Sequence, residues 1–161
     1  MKNQLPLRTG YCDSDHGNDV NDRVSITGYA VFINNNLVSW SSKKQDKVAT
    51  SSTEAEYYAV NEIRKELLWC SQLLNEMGFQ IKFPIIIYCD NLSAIKIAEN
   101  DVDHGRSKHI DIVYHAIRDD IKNKMIEIKW VSTEHQLADI FTKSLGTNVF
   151  TRLRDQLIKT F

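Results

Sequence analysis

Two glutamates stand two positions apart in SSTEAEYYAV, residues 51–60, and three aspartates, Asp13, Asp90 and Asp139, stand in segments that read as two strand ends and a helix start. Carboxylates are the side chains that hold hard divalent cations. A set of them gathered on one spot, without cysteine or histidine ligands, selects Mg²⁺ or Mn²⁺ over zinc. Two such ions roughly 3.5 to 4 Å apart are the usual device for in-line cleavage of a phosphodiester. The chemistry therefore turns on whether these acids converge, and the elements that carry them decide that.

Apolar Val60, Ile63, Leu67, Leu74 and Met77 repeat at helical spacing, which predicts a helix capped by Ser52 or Thr53 and running to about Met77, with Gly78 as its left-handed stop. On a wheel of about 100° per residue, Glu56 falls on the stripe of Val60, Ile63 and Leu67. Glu54 falls nearly opposite, with Tyr58, Asn61 and Lys65. Glu56 is thus expected to face inward and Glu54 to face water. An inward carboxylate costs several kcal/mol of desolvation unless a cation or hydrogen bonds compensate. A lysine or a backbone amide would serve that purpose as well as a metal.

Residues 8–13, RTGYCD, and 83–89, FPIIIYC, each lead into a Cys-Asp pair, at Asp13 and at Asp90. The second run is apolar, opened by Pro84 and too short for a helix, which predicts a central parallel strand covered on both faces. Neighbouring strands lie roughly 4.8 Å apart, so two bare carboxylates at adjacent ends repel and raise one pKa unless a cation lies between them. The carboxyl edge of a parallel sheet is also where α/β proteins place ligands. Taken singly, Asp90 reads equally as the N-cap of the next helix, and Asp15 and Asp19 as loop acids. Cys12 and Cys89 are expected to face away from the acids by strand alternation.

The remaining elements follow from pattern. SITGYAVFI (25–33) and LVSWSSK (37–43), separated by Asn34, Asn35 and Asn36, predict a hairpin with positive φ in its turn. Helices are expected over 92–99 and 109–123, a strand over 125–131, a helix from Glu134 with Thr133 and Gln136 as a capping box, and a last helix over 149–158. Asp139 then sits in the second turn of a helix leaving the same sheet edge. The order predicts an α/β fold built on a five-stranded mixed sheet, antiparallel through its first three strands and parallel through strands 1, 4 and 5, with flanking helices.

Composition bounds the rest. A chain of 161 residues, 42% apolar and 25% charged, reads as one soluble globular domain over 10–161, preceded by a linker or truncated connection over 1–9. Lys plus Arg number 20 against 21 Asp plus Glu, so any polyanion must be met by local basic patches. The three cysteines, Cys12, Cys70 and Cys89, have no C-x-x-C spacing and lie in apolar segments, which predicts buried free thiols in a reducing, intracellular compartment and no structural zinc. No run approaches the roughly 18 apolar residues of a membrane span.

GYCDSD, SSTEAEYYAV, IIIYCDN, SKHIDIVYH and QLADIFTKSL, in this order and spacing, closely resemble the ribonuclease H domain at the C-terminal end of the Pol polyprotein of copia-type LTR retrotransposons. The resemblance runs from about residue 10 to about residue 157. It implies the RNase H fold and endonucleolytic cleavage of the RNA strand of RNA/DNA hybrids during reverse transcription, leaving 5′-phosphate and 3′-hydroxyl ends. It also implies two Mg²⁺ (or Mn²⁺) ions, a tethered reverse transcriptase polymerase domain supplying most of the grip on the hybrid, a monomeric isolated domain, and a parent element in cytoplasmic virus-like particles. The family's catalytic, metal-binding acids carry over onto Asp13, Glu56, Asp90 and Asp139. Arg106, Lys108 and His109 become candidates for contacts with the hybrid.

The chain departs from the wider RNase H pattern in having no histidine where cellular and retroviral relatives carry a mobile one before the last acid. His135, one helical turn before Asp139, reads either as a solvated residue or as a group reaching the ions. His109 and His115 lie six apart, which is not a metal-ligand spacing on a helix. Local charge comes from Lys43, Lys44 and Lys47 and from Arg106, Lys108, Arg118 and Lys122, so binding is expected to be weak and steeply salt-dependent. Ser14, Asn91 and Ser93 are candidates to read the 2′-hydroxyls of the RNA strand. Two other readings compete: a DDE-type integrase, whose glutamate comes late in the chain where this one comes early, and a non-catalytic nucleic-acid-binding remnant, against which the presence of all four acids argues.

Overall fold

Asn34 and Asn35 adopt left-handed conformations, φ 54° and 63°, and turn strand β2 (Ile26–Ile33) back into β3 (Asn36–Lys44). Asparagine tolerates positive φ better than any residue but glycine, so the expected hairpin forms with that turn. The computed structural model describes residues 8–17, 24–100 and 108–158. Residues 1–7 of the expected linker over 1–9 and the candidate contact Arg106 lie outside them, as do Asp19 and the side chains of Lys108 and His109, while Arg8 and Thr9 already belong to the first strand.

Around the hairpin, β1 (Arg8–Asp15), β4 (Ile85–Cys89) and β5 (Ile126–Trp130) complete a five-stranded sheet in the order β3-β2-β1-β4-β5. β1 pairs antiparallel with β2, and β2 with β3. β4 lies parallel to both β1 and β5. This is the expected mixed sheet. β4 carries Ile85, Ile87 and Cys89 on a wholly buried face, whereas Ile86 and Tyr88 are only half-buried. The expectation of full cover on both faces fails there, on the side where Tyr11 and Tyr88 stack 4.8 Å apart.

One face of the sheet packs against α1 (Ser52–Glu76), with α2 (Leu92–Glu99) and α3 (Lys108–Lys122) beside it, around Val31, Tyr57, Val60, Ile63, Leu67, Ile87 and Ile117. Ser51, not Ser52 or Thr53, caps α1, accepting from the Glu54 amide, and Gly78 at φ 88° follows the helix. The other face holds a smaller core of Ala30, Phe32, Leu137, Leu153 and Leu157 under α4 (Thr147–Leu157).

The chain between β5 and α4 differs from expectation. In place of one helix from Glu134 there are two 3₁₀ turns, Thr133–His135 and Leu137–Phe141, broken at Gln136. Gln136 is fully buried; its Oε1 accepts from the Ala138 amide and its Nε2 donates to the Cys12 carbonyl of β1, 2.9 Å away. A side chain tied across to the sheet holds this segment down and prevents a continuous helix. Among the described residues, no helix is long and apolar enough to cross a membrane.

Candidate metal centre

β1 and β4 stay in register through Tyr11 and Tyr88, and two residues further along each chain stand Asp13 and Asp90. β1 continues to Asp15 against β2, so Asp13 lies inside that strand rather than at its end. Glu56, on the first turns of α1, reaches over the same edge. One carboxylate oxygen from each of Asp13, Glu56 and Asp90 lies within 4.8 Å of the other two.

Each of these acids is held in place. Glu56 is buried and its Oε1 accepts from the Ser14 amide at 3.1 Å, so β1 itself orients the glutamate. Asp90 is not the cap of α2: Asn91 caps it through the Ala94 amide, and Asp90 Oδ2 instead accepts from the Thr133 hydroxyl at 2.7 Å. Asp13 is 1% exposed, and the Thr142 hydroxyl donates to its Oδ2.

Asp139, in the second 3₁₀ turn, joins the set through a cation. Lys143 Nζ donates to Asp139 Oδ1 at 2.8 Å and to Asp13 Oδ1 at 3.1 Å. The electrostatics match the geometry. Burial first, then Cys89 and Asp13, raises the Glu56 pKa well above the carboxylate range against the pull of the Ser14 amide. Burial pushes Asp139 up to about 6, with Lys143 opposing and Asp13 adding to the rise. Burial alone would favour neutral Lys143, but Asp13 and Asp139 outweigh it and hold the ammonium charged above its usual range.

Two expectations need correction. Glu54 does not face water: it is 8% exposed, and its carboxylate accepts from the Thr50 amide, the Thr50 hydroxyl and the Tyr58 hydroxyl. Burial and Glu54 together push Tyr58 up to about 12. Cys12 and Cys89 do lie on the face opposite Asp13, but not away from all the acids, since Cys89 Sγ is 3.9 Å from Glu56 Oε2. The reason is that Glu56 descends from α1 over the face the thiols occupy. Cys12, Cys70 and Cys89 are all free and buried, as expected.

The other candidates spread more widely. Ser14 is buried beside Asp13, and its Oγ has no hydrogen-bond partner among the described residues. Asn91 is committed to its cap, while Ser93 is exposed beside a depression lined by Thr50, Ser51, Thr53, Glu54, Ile97 and Tyr114. His135 bonds to Ser132 and His115 is exposed. Lys43, Lys44 and Lys47 line a cleft of about 210 Å³ with Gln45, Tyr58 and Lys65. Sequence reasoning missed Thr142 and Lys143. Their signal was present in LADIFTK, where a hydroxyl and a cation follow the last acid by three and four positions.

A mixed sheet in this order is the fold of ribonuclease H. It matches RNase H1 LC11, isolated from compost by a metagenomic approach, with TM-score 0.63 and 13% identity, covering 84% of this chain and 92% of that one. The N-terminal RNase H domain of rv2228c from Mycobacterium tuberculosis gives 0.62 at 11% identity, covering 94% and 99%. The foamy viral protease-reverse transcriptase gives 0.54 at 18%, covering 98% and 100%. No protein-family model matches the chain. In sequence it is 45% identical over 148 residues to the retrovirus-related Pol polyprotein from transposon RE2 of Arabidopsis thaliana, and 40% identical over 145 residues to that from transposon TNT 1-94 of Nicotiana tabacum. These matches cover 92% and 90% of this chain but only 10% and 11% of the relatives, so the chain spans about a tenth of their length. The chain is therefore homologous to one segment of these copia-type Pol polyproteins.

Proposed function

We propose that this chain is a divalent-metal-dependent ribonuclease H that cleaves the RNA strand of RNA/DNA hybrids, leaving 5′-phosphate and 3′-hydroxyl ends. The observation that carries the reading is the meeting of Asp13, Glu56 and Asp90 within 4.8 Å, from three elements, at the carboxyl edge of β1 and β4. An all-oxygen donor set of this kind fits Mg²⁺ or Mn²⁺, and the unpartnered, buried Ser14 hydroxyl beside it leaves a polar group for a ligand. Asp13, Glu56, Asp90 and Asp139 would hold two ions.

When bound, such ions supply an activated water, charge stabilisation on the phosphorane and a stabilised leaving oxygen. The protein's own part is positioning. The Ser14 amide fixes Glu56, Thr133 fixes Asp90 and Thr142 fixes Asp13, so the ligands are oriented before anything binds. No side chain in this set needs to act as a nucleophile.

Ser14, Asn91 and Ser93, with Arg106 outside the described residues and Lys108 and His109 at the start of α3, are the proposed contacts to the hybrid. A relative by fold, LC11-RNase H1, has been solved in complex with an RNA/DNA hybrid, with TM-score 0.61 to this chain. The lysine-lined cleft offers phosphate contacts on the hairpin side. Further proposals are a domain over 10–161, a fused reverse transcriptase in the parent polyprotein, a monomeric isolated domain and an intracellular location. The test is incubation of the chain with labelled RNA/DNA hybrid, duplex DNA and duplex RNA in Mg²⁺ or Mn²⁺. Cleavage confined to the RNA strand of the hybrid, abolished by EDTA, is expected. Equal cutting of duplex DNA, or no cutting with either ion, contradicts the reading.

A further inference from the structure

Asp139 is the one acid of the proposed four that does not join the compact cluster of Asp13, Glu56 and Asp90 among the described residues. What lies between it and Asp13 is the Lys143 ammonium, 2.8 Å from one carboxylate and 3.1 Å from the other. The contact is built rather than incidental. Lys143 follows Asp139 by one turn, its amide bonding to the Asp139 carbonyl at 3.0 Å, and the neighbouring Thr142 occupies the other oxygen of Asp13. Both acids are almost fully buried, so their charges need a cation at this point even before any metal arrives.

We infer that Lys143 is a built-in occupant of the second cation position, which must swing out before a divalent ion can bridge Asp13 and Asp139. The ammonium sits on the same carboxylate oxygens of Asp13 and Asp139 that would hold such an ion, so the two would compete for them. The side chain is equipped to leave: it is 31% exposed, on a flexible four-carbon stem, and an ammonium is readily hydrated in solvent. Within the three-acid cluster Lys143 touches Asp13 alone; Glu56 and Asp90 have no ion-pair partner among the described residues. Loading is therefore ordered, with a first ion entering the three-acid cluster and a second entering only by displacing Lys143. Lys143 is in this sense a positioning residue, holding Asp13 and Asp139 together and oriented until exchange occurs.

The proposal rests on the metal-centre reading above, and calorimetric titration of the whole chain with Mn²⁺ alone separates the two. The wild type should show two steps, the second weaker. Lys143→Met should tighten the second step by roughly tenfold or more and change the first much less, since Lys143 touches only Asp13 of the first cluster, and should lower the melting temperature in EDTA because Asp13 and Asp139 then face each other unneutralised. Lys143→Gln, which keeps a hydrogen-bond donor to Asp139, should show the same tightening with a smaller loss of stability. Lys143→Arg retains a cation and should keep the weak second step. An unchanged or weakened second step in both the methionine and glutamine variants would overturn the role of Lys143. Absence of any Mn²⁺ binding by the wild type would overturn the metal centre, and the proposal with it.

Discussion

Glu54 and Glu56 lie two positions apart on one helix, both buried, and do different work. Glu54 is satisfied locally by Thr50 and Tyr58, whereas Glu56 points at the sheet edge with Asp13 and Asp90. Glu54→Gln removes acceptor capacity from buried donors and should destabilise the fold by about 1–2 kcal/mol, seen as a lower melting temperature in EDTA, with hybrid cleavage within a few-fold of wild type. The helical wheel placed Glu56 correctly because the sheet is the dominant neighbour of α1. It misplaced Glu54 because α1 also has α2 and α3 beside it, and a wheel with one buried face cannot register a second. The raised acids make a further prediction. Asp139 titrates at about 6 in the folded protein against roughly 3.9 unfolded, so the folded state binds the extra proton in that interval. Its contribution is complete below about pH 4 and is lost as pH rises through about 6, and Glu56, shifted in the same direction by burial, adds to the loss. In EDTA the melting temperature should fall from pH 5 to pH 8, and Asp139→Asn should flatten that fall.

At the scale of elements, the strands and the long helix were legible because each is built from local signals: β-branched and aromatic runs, an Asn turn, a capped amphipathic repeat. The segment carrying Asp139 was not. Its Thr133–Gln136 spacing reads as a capping box, but Gln136 spends its amide on the Cys12 carbonyl, 124 positions away in sequence, and no local pattern announces such a bond. The same segment explains Gly28. It pairs with Asp13 across β1 and β2, and a Cβ there would stand 2.6 Å from Thr142 Cγ2 and 2.9 Å from Phe141 Cβ. The 3₁₀ turn therefore rests directly on glycine backbone. Gly28→Ala should push the turn, and Asp139 with it, off the sheet. The expected cost is about 1–3 kcal/mol of stability by denaturant melts, together with a loss of hybrid cleavage larger than the stability change explains. Gly28→Ala that cleaves as well as wild type would show that the turn's seat does not position the site.

The molecule as a whole carries a net charge of −1, and Lys43, Lys44, Lys47 and Lys65 gather around the hairpin cleft. A chain with this charge balance is expected to hold a polyanion weakly, and it makes up about a tenth of the length of its Pol polyprotein relatives. On the proposed function, the chemistry belongs to the edge where β1, α1, β4 and the second 3₁₀ turn deliver their acids. The central claim is that these carboxylates act together on a phosphodiester, and Glu56→Gln tests it most directly, since the change keeps shape and removes one charge. RNA-strand cleavage of a labelled hybrid at saturating Mg²⁺ should fall by several orders of magnitude, while the melting temperature in EDTA stays the same or rises because fewer buried carboxylates repel. A folded Glu56→Gln protein that still cleaved the hybrid within a few-fold of wild type would contradict the account.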